Sequence, residues 1–272
     1  MQRSVTSLLS CHLLPKSFSR TSQKTSPLFT SLSTFSPVGI STSPTLLSAD
    51  PCPVKQAVKQ ATSSWLESLI IGRSLWPALC PFAAKPHKEG AVKIVVSSAC
   101  SDDELLADVR AEIDILAEGN GHADGPLSPT TTLIVVPAPH YLLPSYRSQI
   151  HTSWKIMEML QDLNLVGQPQ GMQVVNFHPQ GAHNTYKQEG EDLDAADFTT
   201  RSPFPTFHIL READLLQAGL SHKHVDAIPG KNAKRLRGVG YEECERLWKS
   251  CSSAKQRLCW YGWLERDFGR GG

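Results

Sequence analysis

The chain has 272 residues, of which 40% are hydrophobic and 19% charged, enough for one sizeable domain with extensions. A formal net charge of +1 excludes a bulk basic field for nucleic acid or anionic lipid, and no run approaches the roughly 18 apolar residues of a membrane span. Seven cysteines, odd in number and never spaced C-x-x-C, point to reduced thiols rather than a disulfide framework.

Residues 1–49 contain 13 Ser, 7 Thr and four basic residues (Arg3, Lys16, Arg20, Lys24), with no Asp or Glu. A Ser-rich, acid-free, mildly basic opening is the composition of an organelle transit peptide. The apolar core that a secretory signal needs is interrupted at Ser10, Cys11 and His12. Pro15, Pro27, Pro37 and Pro44 break the long helix that a mitochondrial presequence favours, so a plastid (chloroplast stroma) is the expected address and a mitochondrion the alternative. A disordered tail without a targeting role is the plainer reading. Without this segment the remaining chain carries about −3, which disfavours nucleic acid as a partner.

From residue 53 the chain alternates helical and strand patterns. Val54, Val58, Ala61, Trp65, Leu66, Leu69 and Ile70 mark one face of a helix running to Ser74. Residues 91–97 (AVKIVVS) are β-branched and follow Gly90, a strand signal. Ser101 and Glu104 form a capping-box pattern for a helix that buries Leu105, Val109, Ile113 and Leu116 and ends at Gly119. A Gly- and Pro-rich loop (120–130) leads to a second strand at 132–137. An amphipathic helix over 144–164 and a third strand at 171–177 follow. Residues 179–200 show no periodicity and are expected to be loop. A short fourth strand is predicted at 207–210, helical turns at 213–219, and two helices at 231–237 and 240–251.

This alternation predicts an α/β fold: helices layered on a small, at least partly parallel (mixed) sheet of about four strands, covered on both faces. The expected organisation is a transit peptide (1–49), one α/β domain (53–252) and an aromatic tail (253–272) with Trp260, Tyr261, Trp263 and Phe268.

No phosphate-loop, dinucleotide, zincin or nucleophile-elbow motif occurs. Three polar constellations remain. Cys80, in Leu79-Cys80-Pro81-Phe82, is a candidate nucleophile or metal ligand, or else a small buried apolar residue. His178, at a strand end in Asn176-Phe177-His178-Pro179 with His183 beyond, suits acid–base work or metal ligation, or a bond to the backbone. The stretch Thr200-Arg201-Ser202-Pro203-Phe204-Pro205 holds an extended backbone. It would present Arg201, Thr200 and Ser202 as an anion clamp, unless Arg201 is a structural ion-pair partner. His208, Arg211 and Glu212 follow, the last two a possible structural pair.

Seven motifs then appear in order: WLESLIIG (65–72), LCPFA (79–83), IVVS (94–97), FHP (177–179), RSPFP (201–205), HILRE (208–212) and AIPGKN (227–232). Over about residues 58–240 the chain resembles the domain of unknown function 1415 family, found in bacteria and photosynthetic eukaryotes. The resemblance singles out Cys80, His178, Arg201, Ser202, His208, Arg211, Glu212 and Asn232, without implying a particular activity or cofactor.

Two readings of function follow. In the first, the chain is a small-molecule enzyme: Cys80, His178 and His208 are catalytic or, if a metal is present, its ligands. An anionic substrate is held by Arg201, Ser202, Arg211, Glu212 and Asn232. In the second, it is a non-catalytic binding or assembly protein of the organelle. Its tryptophans then supply contact surface and its His and Arg motifs are structural staples.

Overall fold

The computed structural model describes residues 53–72, 78–118, 130–137, 142–166, 171–184, 193–217 and 227–251. The expected transit peptide, the loop over 120–129 and the aromatic tail lie outside these residues. Four strands form one mixed sheet: β1 (Val92–Val96), β2 (Thr131–Val135), β3 (Met172–Phe177) and β4 (Thr206–Arg211), in the order β1-β2-β4-β3. β1 and β2 are parallel, and β4 runs antiparallel to both of its neighbours.

Among the described residues, seven α-helices accompany the sheet. They are α1 (Pro53–Trp65), α2 (Ala84–Lys88), α3 (Asp102–Glu118), α4 (Tyr146–Asp162), α5 (Glu212–Gln217), α6 (Ile228–Val239) and α7 (Tyr241–Ser250). α1 continues as a π-helix over Leu66–Gly72, with Trp65, Leu66, Leu69 and Ile70 buried across the junction. The spacing therefore located this helix but not its change of winding. α2 and a 3₁₀ turn at Ala195–Thr199 are further additions, the latter inside the stretch expected to be loop. Neither is long enough to establish a period.

Strand alternation divides the core. Ile134, Val136, Phe207, Ile209 and Met172 face α3 and α4, where they meet Leu105, Val109, Ile113, Leu143, Ile156 and Leu160. Leu133, Val175 and Phe177 face the opposite layer, with Trp65, Leu69, Phe198 and Leu236. A third cluster joins Val58 and Ala61 of α1 to Val96, Val135 and Phe204. The sheet is thus covered on both faces, as its apolar strands require. Capping is as expected at α3: Glu104 N–H donates to Ser101 Oγ (3.3 Å), and Glu104 Oε2 accepts from Cys100 N–H (2.7 Å). α4 has its own box, with Ser145 Oγ accepting from Ser148 N–H and Ser148 Oγ from Ser145 N–H (both 3.1 Å). None of the described helices is long and apolar enough to cross a membrane.

Candidate functional site

β3 ends at Phe177, and Pro179 prevents its continuation. The intervening His178 is a hub of backbone bonds. Its N–H donates to Thr200 O (3.0 Å), while its carbonyl accepts from Gly181 N–H (2.8 Å) and Ser202 N–H (3.3 Å). The FHP turn and the RSPFP segment are therefore one locked unit, although His178 and Thr200 are 22 positions apart in sequence. The imidazole, 2% exposed, is bonded at both nitrogens. Nδ1 accepts from Gln180 N–H (3.0 Å), which leaves the proton on Nε2 to be donated to Leu143 O (3.1 Å). Burial holds its pKa below the usual histidine value. It is a neutral ring joining two loops, with neither nitrogen left over for a substrate.

Arg201 is equally committed. Its Nε–H donates to Gly181 O (3.2 Å) and an Nη1–H to Tyr241 Oη (3.1 Å), while Nη2 lies 3.7 Å from Asp197 Oδ2. The guanidinium stacks on Phe198 at 4.6 Å and sits 5.7 Å from the Tyr241 ring centre. Its own carbonyl accepts from Trp65 Nε1–H (2.9 Å). Of the other residues expected in the anion clamp, Thr200 Oγ1 donates to Asp197 O (3.0 Å) and Ser202 Oγ to Phe204 O (2.5 Å). Asp197, Tyr241 and Gly181, which complete this lock, carried no motif signal of their own. Gly181 and Tyr241 lie 20 and 40 residues from Arg201, whereas Asp197 is only four away.

His208 lies on β4 between Leu133 and Val175. Thr131 Oγ1 donates to Ile209 O (2.8 Å), so His208 Nε2–H is the donor in the 2.6 Å bond to that hydroxyl. Burial lowers its pKa to about 4. Arg211 and Glu212 belong to the opposite end of β4: Arg211 pairs with Met172, whereas Thr206 pairs with Phe177. Six residues of strand span roughly 17 Å, so this pair is remote from the His178–Arg201 lock. Arg211 Nε–H donates to Asp214 Oδ2 (2.8 Å), and Glu212 Oε1 accepts from Gln173 Nε2–H (3.3 Å).

Cys80 follows the π-helix, where Leu79 N–H and Cys80 N–H both donate to Ile70 O (2.9 and 3.0 Å). Asn232 reaches across from α6 and donates from Nδ2 to Leu79 O (2.6 Å). Burial pushes the Cys80 thiol up from its usual range, which keeps it protonated at neutral pH. The structure therefore groups seven of the eight residues into three places: His178, Arg201 and Ser202; Arg211 and Glu212; Cys80 and Asn232. His208 stands within the sheet. Among the described residues no three His, Cys, Asp or Glu side chains are placed to hold a metal ion.

A cleft of about 380 Å³ lies elsewhere, at the carboxyl end of β1, where α/β sheets commonly bind ligands. Lys55, Val95, Ser98, Glu104, Asp108 and Glu112 are among its lining residues. The three carboxylates recur every fourth residue along α3, a signal present in the sequence but masked by its apolar period. Each already holds part of the chain. Glu104 holds Cys100 N–H, Asp108 Oδ2 accepts from Ser97 Oγ (2.6 Å), and Glu112 pairs with Lys93 at 2.8 Å.

The family described as "Protein of unknown function (DUF1415)" matches residues 57–246, well over half of the chain. The chain belongs to that family. The match spans every described strand and helix except the outermost turns of α1 and α7, so the DUF1415 motifs can be placed on this fold. FHP and RSPFP interlock at one end of the sheet, HILRE is the last four residues of β4 with the first residue of α5, and AIPGKN opens α6. No curated protein and no solved structure matches the chain.

Proposed function

We propose that this DUF1415 protein is a non-catalytic binding or assembly protein of a plastid, with its motifs forming the frame that presents a contact surface. The observation that carries this reading is the inward commitment of the motif side chains. Both His178 nitrogens, the Arg201 guanidinium, the Ser202 hydroxyl and the Asn232 amide donor are bonded within the chain. Groups so held contribute rigidity, and binding energy is then supplied by other surfaces. The acid-free, Ser- and Thr-rich residues 1–49 support the plastid address.

The test compares the full chain with a version truncated before Ser253, both expressed in plastids and sized by native chromatography. The full chain is expected in an assembly larger than its own mass of 29.9 kDa, and the truncated chain outside it. Consumption of one metabolite from a stromal extract by the purified chain, abolished by Cys80→Ser or His178→Asn, overturns the proposal.

The cleft at the end of β1 favours a second reading, a small-molecule enzyme acting there. Its carboxylates would have to share their bonds to Cys100, Ser97 and Lys93 with a cationic group of the ligand. An anionic substrate held by Arg201 would instead require the guanidinium to leave Asp197 and Tyr241.

A further inference from the structure

We propose that an internal water molecule is built into the interface between α4 and the end of β3, held between the side-chain amides of Gln149 and Asn176. Gln149 is fully buried, and its Nε2–H donates to Thr206 O (3.0 Å). A carbonyl only accepts, so the amide can face only one way, and its Oε1 meets no donor among the described residues. Asn176 Nδ2–H donates to Ser153 Oγ (3.0 Å), leaving a buried Oδ1 in the same condition.

The elements that carry these atoms adjoin: α4 packs on β3, and β4 pairs with β3. Gln149 and Ser153 are one turn apart on the same face of α4. Thr206, which receives the Gln149 bond, pairs with Phe177, the residue next to Asn176. The surrounding cluster is apolar, with Leu143, Ile156, Phe207 and Ile209. Two amides in such a layer are costly unless each polar atom is satisfied.

Water is the species that fits. The Asn176 amide can face Ser153 Oγ either way round, because a hydroxyl both donates and accepts. The atom left over is an acceptor in one orientation and a donor in the other. Water serves both, whereas an ammonium group serves only one. Ser153 Oγ, 3.0 Å from the Asn176 amide, is the third polar group here, and a buried water usually has two to four partners. Asn176 immediately precedes Phe177, so the water also ties α4 to the turn that carries the family's FHP motif.

A crystal structure of the full chain at about 1.5 Å resolution is expected to show density about 2.7–3.2 Å from both Gln149 and Asn176 amide atoms. Gln149→Met and Asn176→Leu are each expected to lower Tm by about 3–10 °C. The double variant should lose less than the sum, because no amide then remains unsatisfied. Direct bonding of these amides to groups of the chain with no density between them overturns the proposal, as do additive losses. Should the variants fail to fold, the wild-type density decides.

Discussion

His208 shows how one side chain writes a pH dependence into the whole domain. The unfolded chain takes up its proton near the ordinary histidine value of 6.5, whereas burial holds the folded ring at about 4. Between those values only the unfolded state is protonated, so stability falls as pH drops from 6.5 to 4, by up to about 3 kcal/mol. His178, lowered by burial as well, acts in the same direction. Asp194, lowered to about 2 by Arg237, contributes stability lost only below pH 3.8, which separates the two effects. Urea unfolding at pH 7 and pH 4.5 measures the loss. His208→Gln should shrink it, and an unchanged difference in that variant would refute the assignment. Arg201→Lys gives up the bonds to Gly181 and Tyr241 and the stacking on Phe198, and is expected to cost about 1–3 kcal/mol in the same assay. At Gly181 a β-carbon would overlap the Thr200 carbonyl, a backbone atom that cannot step aside. Gly181→Ala should therefore cost at least about 2 kcal/mol.

At the scale of elements, the junction of α6 and α7 depends on Gly240, whose φ of 94° and ψ of 152° lie in a region open essentially to glycine alone. Gly240→Ala should destabilise by about 1–3 kcal/mol and shift the packing of α7, including the Arg201–Tyr241 bond. Thermal unfolding, together with near-ultraviolet circular dichroism for Tyr241 and Trp248, reads both effects. β4 was legible only as a short strand over 207–210, and its place in the sheet was not legible at all. Its apolar run Phe207, Ile209, Leu210 announces a buried strand, yet nothing local says that it inserts antiparallel between β2 and β3. The long connection from β3 permits several pairings, and selection among them comes from the His178–Thr200 and His178–Ser202 bonds that close the loop.

For the whole molecule, the two faces of the sheet do different work. α3 and α4 seal one side with aliphatic residues, while α1, its π-helical continuation, α6 and α7 cover the other. On that second side the motifs meet through Trp65, which packs edge-on against Phe177 at 4.9 Å and bonds Arg201. Residues 1–52 fused to a fluorescent protein should direct it to plastids in leaf cells. Uniform cytosolic fluorescence would refute the transit-peptide reading.

Local chemistry wrote much of this protein into its sequence. The helix over 53–72, the capping box at Ser101, the β-branched strands and the α/β layering all follow from periodicity and capping, which act within a few residues. The family assignment was equally legible, because motifs in order are a property of the chain. What the polar residues do was decided only by tertiary structure. A histidine at a strand end and an arginine before proline offer the same atoms to a substrate or to a carbonyl 20 residues away. Only folding determines which partner reaches bonding distance. His178 and Arg201 met their partners inside the chain, and the cleft formed instead where β1 ends beside α3.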